Sequence, residues 1–209
     1  MRLLGWAALA AFCLSGAAVA QTPQGRSGMS SGDTLSNMNA YRELRTFGIC
    51  FVRTQRTAAL MIIAAEQGSA EEDRAFRRYI YGEHLTNCMG GGDRHTMSTI
   101  FLRGTIAEGL LLSGGVPPQM LLPAPAPDQV RDLAGAGRCY AAGHEAGVRA
   151  VLATQPGSQQ ETAAVGAIWN EFRPCLARFR IRLNAIWIRY ILAEGLLRLA
   201  PAAPAASAN

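Results

Sequence analysis

Two strings near opposite ends of the chain constrain its fold more than anything else in it. Residues 106–111 read Ile-Ala-Glu-Gly-Leu-Leu and residues 192–197 read Leu-Ala-Glu-Gly-Leu-Leu. Working backwards, Arg103 aligns with Arg189, Ile100 with Ile186 and Cys88 with Cys175. Further back, Gly68-Ser69 aligns with Gly157-Ser158, Cys50 with Cys139 and Gly48 with Gly137. The offset slides only from 89 to 86, so an ordered series of matches runs through both halves. This pattern predicts two diverged copies of one unit, too few for a solenoid.

Each copy reads as three helices. The first spans roughly 34–66, with its counterpart at 128–154, and Asp33 and Asp128 are the expected N-caps. Both run into a glycine, Gly68 or Gly157, suited to a left-handed helix end. Ser69-Ala-Glu-Glu72 and Ser158-Gln-Gln-Glu161 then form capping boxes: the serine side chain meets the third amide, and the glutamate reaches back to the serine amide. The second helices run to about Cys88 and Cys175, and the apolar third helices cover about 95–113 and 177–199. No segment shows strand alternation bounded by hairpin turns. The expected class is therefore all-α: two three-helix repeats, each a disulfide-stapled helical hairpin plus a third apolar helix, packed around a shared core.

Helix geometry selects the disulfides. Cys50 lies 18 residues before Gly68 and Cys88 lies 20 after it, while Cys139 and Cys175 each lie 18 from Gly157. At a fixed rise per residue, an antiparallel hairpin places the members of each pair at nearly equal height. The expected bridges are Cys50–Cys88 and Cys139–Cys175. Close Cys-x2-Cys pairs are absent, so no metal site is expected.

An even set of cysteines with this spacing fits an oxidising compartment. The N-terminus agrees: Met1-Arg2, an uncharged apolar run from Leu3 to Leu14, and Ala18-Val19-Ala20 before Gln21 read as a secretory signal peptide over 1–20. The run is too short to span a bilayer, and the mature chain carries no transmembrane segment. Phe12 before Cys13 argues against lipidation. The remaining boundaries are a flexible segment at 21–32, repeat one at 33–113, a Pro/Gly-rich extended linker at 114–127, repeat two at 128–200 and a disordered tail at 201–209. All twenty basic residues are arginine, which with the abundance of alanine and glycine reads as a GC-rich bacterial genome. Without lysine, Schiff-base and Walker-type chemistry is excluded. The mature chain has 19 arginines against 15 acids, a mild excess suited to an anionic envelope surface or a protein partner. Export argues against a nucleic-acid partner.

The candidate functional residues are the duplicated Glu108 and Glu194, with Arg103 and Arg189. Projected at 100° per residue, Arg178, Arg182 and Arg189 share a stripe, and Glu194 falls opposite them among Leu183, Trp187, Tyr190 and Leu197. Glu108 shares a sector with Met97 and Phe101. A carboxylate in an apolar sector needs partners. Packing about a pseudo-twofold axis would pair Glu108 with Arg189 and Glu194 with Arg103. The alternative is a carboxylate pair facing a cleft between repeats.

Other features carry less chemistry. His84, His95 and His144 align with Glu171, Ile181 and Gln55 in the other copy, so the repeat does not duplicate them. Met89-Gly-Gly-Gly-Asp93 lacks the ending of a phosphate loop and reads as a connector. Arg173, Arg178, Arg180 and Arg182, with Phe172 and Phe179 between them, read as a solvated helix face able to meet an anionic surface. The leading functional expectation is a non-enzymatic exported structural or binding module of the bacterial envelope, with no cofactor. The second is a small-ligand binder or enzyme using Glu108 and Glu194. The apolar third helix of the second copy is a candidate homodimer face.

Overall fold

A computed structural model describes residues 34–81, 88 and 98–201, with side chains from Ala40 onward. The expected signal peptide, the 21–32 segment, Asp33, His84, the Met89–Asp93 run, His95, Met97 and the tail beyond Pro201 lie outside these residues. Helices make up the described chain, and its one β-type pairing is an isolated parallel bridge between Leu122 and Leu199.

The expected first helix is two helices, α1 (Thr34–Thr54) and α2 (Arg56–Ala64), meeting at 111°. The break is Gln55, at φ −136° and ψ 48°. No proline or glycine marks it. The turn lays α2 inward and buries Ala58, Ala59, Ile62 and Ile63, so tertiary burial overrides helix propensity at one residue. In the second half α5 (Leu133–Ala153) carries the same irregularity at His144, φ −136° and ψ 34°. Gln55 and His144 are the two positions the sequence comparison aligns.

Helices α3 (Ala70–Tyr79) and α6 (Gln159–Phe172) follow Gly68 and Gly157, whose φ values of 78° and 75° occupy the left-handed region. Ser69 accepts from the Glu72 amide and Ser158 from the Glu161 amide, each at 3.1 Å. The return contacts differ from expectation. Glu72 and Glu161 take the amides of Gly68 and Gly157, each at 2.7 Å, instead of those of the serines. The serine amides are already donated to Glu66 and Gln155 carbonyls, so the next orphan donor along receives the carboxylate.

Helix α4 (Thr99–Leu112) and helix α7 (Ala185–Arg198) are shorter than the sequence implied. Asn184 starts α7, its Oδ1 accepting from the Ile186 and Trp187 amides. Residues 177–184 are therefore outside the helix, and Arg178 and Arg182 do not share a helical stripe with Arg189. Asp128 is not the cap of α5 either. It sits in a 3-10 turn, Pro127–Gln129, and Asp132 caps the helix through the Gly135 amide.

Helix α4 packs on α1, α7 packs on α5, and α4 and α7 pack on each other. The outer crossings are backbone-close. A Cβ on Gly48 would stand inside 3 Å of the Thr105 backbone, and one on Gly109 inside 3 Å of the Gly48 backbone. On the other side Gly137 meets the Ile191 carbonyl and Gly195 meets Gly137 in the same way. Small residues at these aligned positions are what allow the helices to touch.

The expected shared core is two clusters. One joins α1 to α4 through Phe47, Phe51, Ile62, Phe76 and Ile106, and takes Ile186, Tyr190 and Leu197 from α7. The other joins α5 and α6 to the opposite side of α7 through Tyr140, Val148, Phe172 and Leu192. Helix α7 thus presents apolar side chains to both, which explains why its sequence is apolar nearly all round. The linker also departs from a free spacer. It holds the 3-10 turn Pro118–Met120, and Leu122 pairs with the end of α7 through bonds to Arg198 O at 2.7 Å and from Ala200 N at 2.9 Å.

Candidate functional site

Glu108 on α4 and Glu194 on α7 are 2% and 4% exposed, and Arg103 and Arg189 are 0% exposed. A buried guanidinium is tolerable only if its five N–H groups find acceptors. Arg103 supplies its Nε and Nη2 to Glu194, with Nε–Oε2 at 3.0 Å. Its Nη1 reaches Ile62 O (2.8 Å), Ala65 O (3.1 Å) and Glu72 Oε1 (3.0 Å), and its Nη2 also reaches Ile63 O (3.3 Å).

Arg189 repeats this set atom for atom. Its Nε and Nη2 meet Glu108 at 3.1 and 2.6 Å. Its Nη1 reaches Val151 O, Thr154 O and Glu161 Oε1, each at 3.1 Å, and Nη2 reaches Leu152 O at 2.8 Å. Each arginine therefore does two jobs. It ends a helix by binding its last carbonyls, the terminus where a cation is favoured. It also ties that end to the capping-box glutamate of the next helix and to a glutamate on the opposing central helix.

Burial alone lowers the tendency of the Arg103 guanidinium to stay charged, but Glu194 and Glu72 outweigh it and hold it above its ordinary range. Glu108 and Glu161 do the same for Arg189. The two sites differ at their edges. Arg45 of α1 adds a third cation contact to Glu108, Nε to Oε1 at 2.7 Å. Arg198 stands 3.8 Å from Glu194. Burial, Arg103 and Arg138 push Arg198 down from its usual value, against the pull of Glu194 and Asp132.

The four residues singled out in the sequence thus meet as two reciprocal pairs. Glu108 and Glu194 are occupied by arginine and enclosed, and neither stands free in a cleft. The predicted disulfides form, Cys50 with Cys88 and Cys139 with Cys175, at Cα separations of 5.5 and 5.9 Å. Their thiols are spent. Among the described residues no cluster of His, Cys, Asp or Glu could hold a metal ion.

His144 stacks on Tyr140 with centroids 4.6 Å apart and faces Glu171 at 3.2 Å on an open surface. The basic-aromatic stretch does not act as one face: Phe172 is fully buried, Arg173 belongs to the 3-10 turn Arg173–Leu176, and Arg178, Arg180 and Arg182 are exposed on irregular chain.

Sequence reasoning missed Arg45, which has no arginine counterpart in the second half, and missed that the capping-box glutamates belong to the buried network. It also passed over Arg138, only 9% exposed, whose Nε has no hydrogen-bond partner among the described residues. Comparisons with protein-family models, curated proteins and solved structures give no significant match to this chain.

Proposed function

We propose that the chain is an exported, non-enzymatic helical module of the bacterial envelope, built from two diverged copies of one unit and acting through its surface. The observation that carries this reading is the reciprocal exchange of Glu194 and Glu108 between Arg103 and Arg189. The most conspicuous duplicated polar residues are consumed in holding helix ends and the two halves together, leaving neither Glu108 nor Glu194 free for acid–base work. Duplication is supported by the aligned breaks at Gln55 and His144 and by the matching carbonyl and carboxylate acceptors of the two arginines. Export is supported by two disulfides, which persist in oxidising compartments. No described helix is by itself long and apolar enough to cross a membrane.

The test is mass spectrometry of the protein recovered from the producing cell, with the cytoplasmic and envelope fractions analysed separately. The expected product begins at Gln21 and lacks four thiol hydrogens, with both bridges found by non-reducing peptide mapping. Retention of residues 1–20 with free thiols would overturn the export reading. A measurable turnover abolished by Glu108→Gln without loss of folding would overturn the non-enzymatic one.

A further inference from the structure

Three buried side-chain atoms lack a hydrogen-bond partner among the described residues, Arg138 Nε, Tyr190 Oη and Arg198 Nε, and of the two arginines only Arg138 has no carboxylate within 4 Å. Arg103 and Arg189 are buried and fully bonded, whereas Arg138 is nine-tenths buried, and no carboxylate lies within ion-pair distance of it among the described residues. An enclosed cation without a counter-ion is costly. Its surroundings supply a reason to keep it. Arg138 lines an open cleft of about 600 Å³ together with Arg131 and Arg178, with Leu122 and Pro123 forming an apolar wall and Asp128 at the rim.

Three arginines and one aspartate line this cleft, and neither Arg131 nor Arg178 forms an ion pair among the described residues. Among the described residues Arg178 makes one side-chain hydrogen bond, from Nη1 to Asp128 O at 3.2 Å. The cleft is also held in shape. Arg138 adjoins Cys139, whose bridge to Cys175 ties α5 to the turn leading to Arg178. The wall at Leu122 is fixed to the end of α7 by its two backbone bonds. A rigid, positively charged cleft with one apolar side is a preorganised receptor for an oxyanion.

We propose that this cleft binds the oxyanion group, phosphate or carboxylate, of a small molecule whose apolar part rests on Leu122 and Pro123. Arg138 is the counter-ion at the base of the site, and Arg131 and Arg178 close around the anion from the rim. The proposal goes beyond the envelope-module reading and does not depend on it: it stands on the cleft and would survive an intracellular location of the protein.

Isothermal titration of the disulfide-intact full chain with phenyl phosphate, benzoate and inorganic phosphate tests it. Saturable 1:1 binding is expected, tightest for the phenyl-bearing probes, and Arg138→Gln should weaken it by about 10- to 100-fold, the range for a charged hydrogen bond. Absence of saturable binding up to about 10 mM of every probe, or equal affinity in Arg138→Gln, would overturn it. Should Arg138→Gln fail to fold, the exposed pair Arg131→Gln/Arg178→Gln decides: a loss of affinity upholds the site and unchanged affinity removes it. Sedimentation with vesicles containing an anionic phospholipid separates the sources. Binding lost with either variant assigns the site to a lipid phosphate, and binding of phenyl phosphate without vesicle binding assigns it to a free small anion.

Discussion

Gly104 of α4 lies directly against the side chain of Tyr190 of α7. A Cβ on residue 104 would stand inside 3 Å of Tyr190 Cβ, Cγ and Cδ1. These two positions align in the sequence comparison, and the central crossing fits them together with one glycine and one tyrosine. Gly104→Ala should therefore cost about 1–3 kcal/mol through overpacking. Gly166, mid-helix in α6 with nothing within 4 Å of an added Cβ, is the control. Gly166→Ala should stabilise by about 0.5–1 kcal/mol through helix propensity alone. Urea midpoints of the two variants moving in opposite directions would check both; a stabilising Gly104→Ala would refute the close crossing.

The exchanged ion pairs should behave as buried pairs. Glu194→Gln and Glu108→Gln each leave part of a sequestered guanidinium uncompensated, at a cost of about 3–5 kcal/mol. Glu108→Gln should be the more damaging, because Arg45 also loses a hydrogen bond of 2.7 Å, whereas Arg198 stands 3.8 Å from Glu194. Replacing Arg77, whose bond to Asp73 is exposed, should leave the unfolding midpoint almost unchanged. A double-mutant cycle joining Arg103→Met and Glu194→Gln should show strong coupling, since the two residues share two hydrogen-bonding nitrogens.

What the sequence showed and what it hid divide along physical lines. The Ser-x-x-Glu boxes, the glycines with positive φ and the cysteine spacing are local signals, and each maps onto a helix end or a bridge in the structure. The pairings of Arg103 with Glu194 and Arg189 with Glu108 were legible because the two aligned strings put an arginine and a glutamate at matching positions far apart in the chain. The break at Gln55 was not, since neither Gln55 nor Arg56 is a helix breaker and the bend is imposed by burying Ile62 and Ile63. The start of α7 at Asn184 was obscured by the continuous apolar and arginine pattern running from Ala177. Arg138 gave no sign because an unpaired buried arginine is a property of its surroundings and not of its neighbours in the chain.

Alkaline pH should destabilise the fold through its tyrosines. Burial raises the Tyr190 hydroxyl well above its ordinary value, with Glu108 adding to the effect, and burial also raises Tyr41, Tyr81 and Tyr140. A raised folded value means the folded state holds its proton where the unfolded state has lost it. The stabilising contribution is complete below the unfolded value near pH 10 and disappears as pH climbs from there through the folded values. The Tyr190 hydroxyl is enclosed, with no hydrogen-bond partner among the described residues. Tyr190→Phe should thus be neutral or stabilising by about 1 kcal/mol at pH 7 and should flatten the decline above about pH 10. Unfolding curves taken between neutral and strongly alkaline pH check this, and a Tyr190→Phe variant that loses stability at neutral pH would show that the hydroxyl has a partner.

Reduction should proceed in a fixed order. In the second bridge Cys175 is 5% exposed and only Cys139 is partly open, whereas Cys50 and Cys88 are both partly open. Limited reductant should open Cys50–Cys88 first because attack on a disulfide requires access to a sulfur. Each bridge closes a loop of nearly forty residues, with separations of 38 and 36, and its loss should cost about 3–4 kcal/mol in the chain-entropy model. Cys139–Cys175 should cost more in practice, because the Cys175 sulfur fills core volume that alanine leaves empty. Timed alkylation with peptide mapping gives the order, and melting of Cys50→Ala/Cys88→Ala against Cys139→Ala/Cys175→Ala gives the costs. Earlier labelling of Cys175 than of Cys88 would mean that the second half opens more readily than its packing implies.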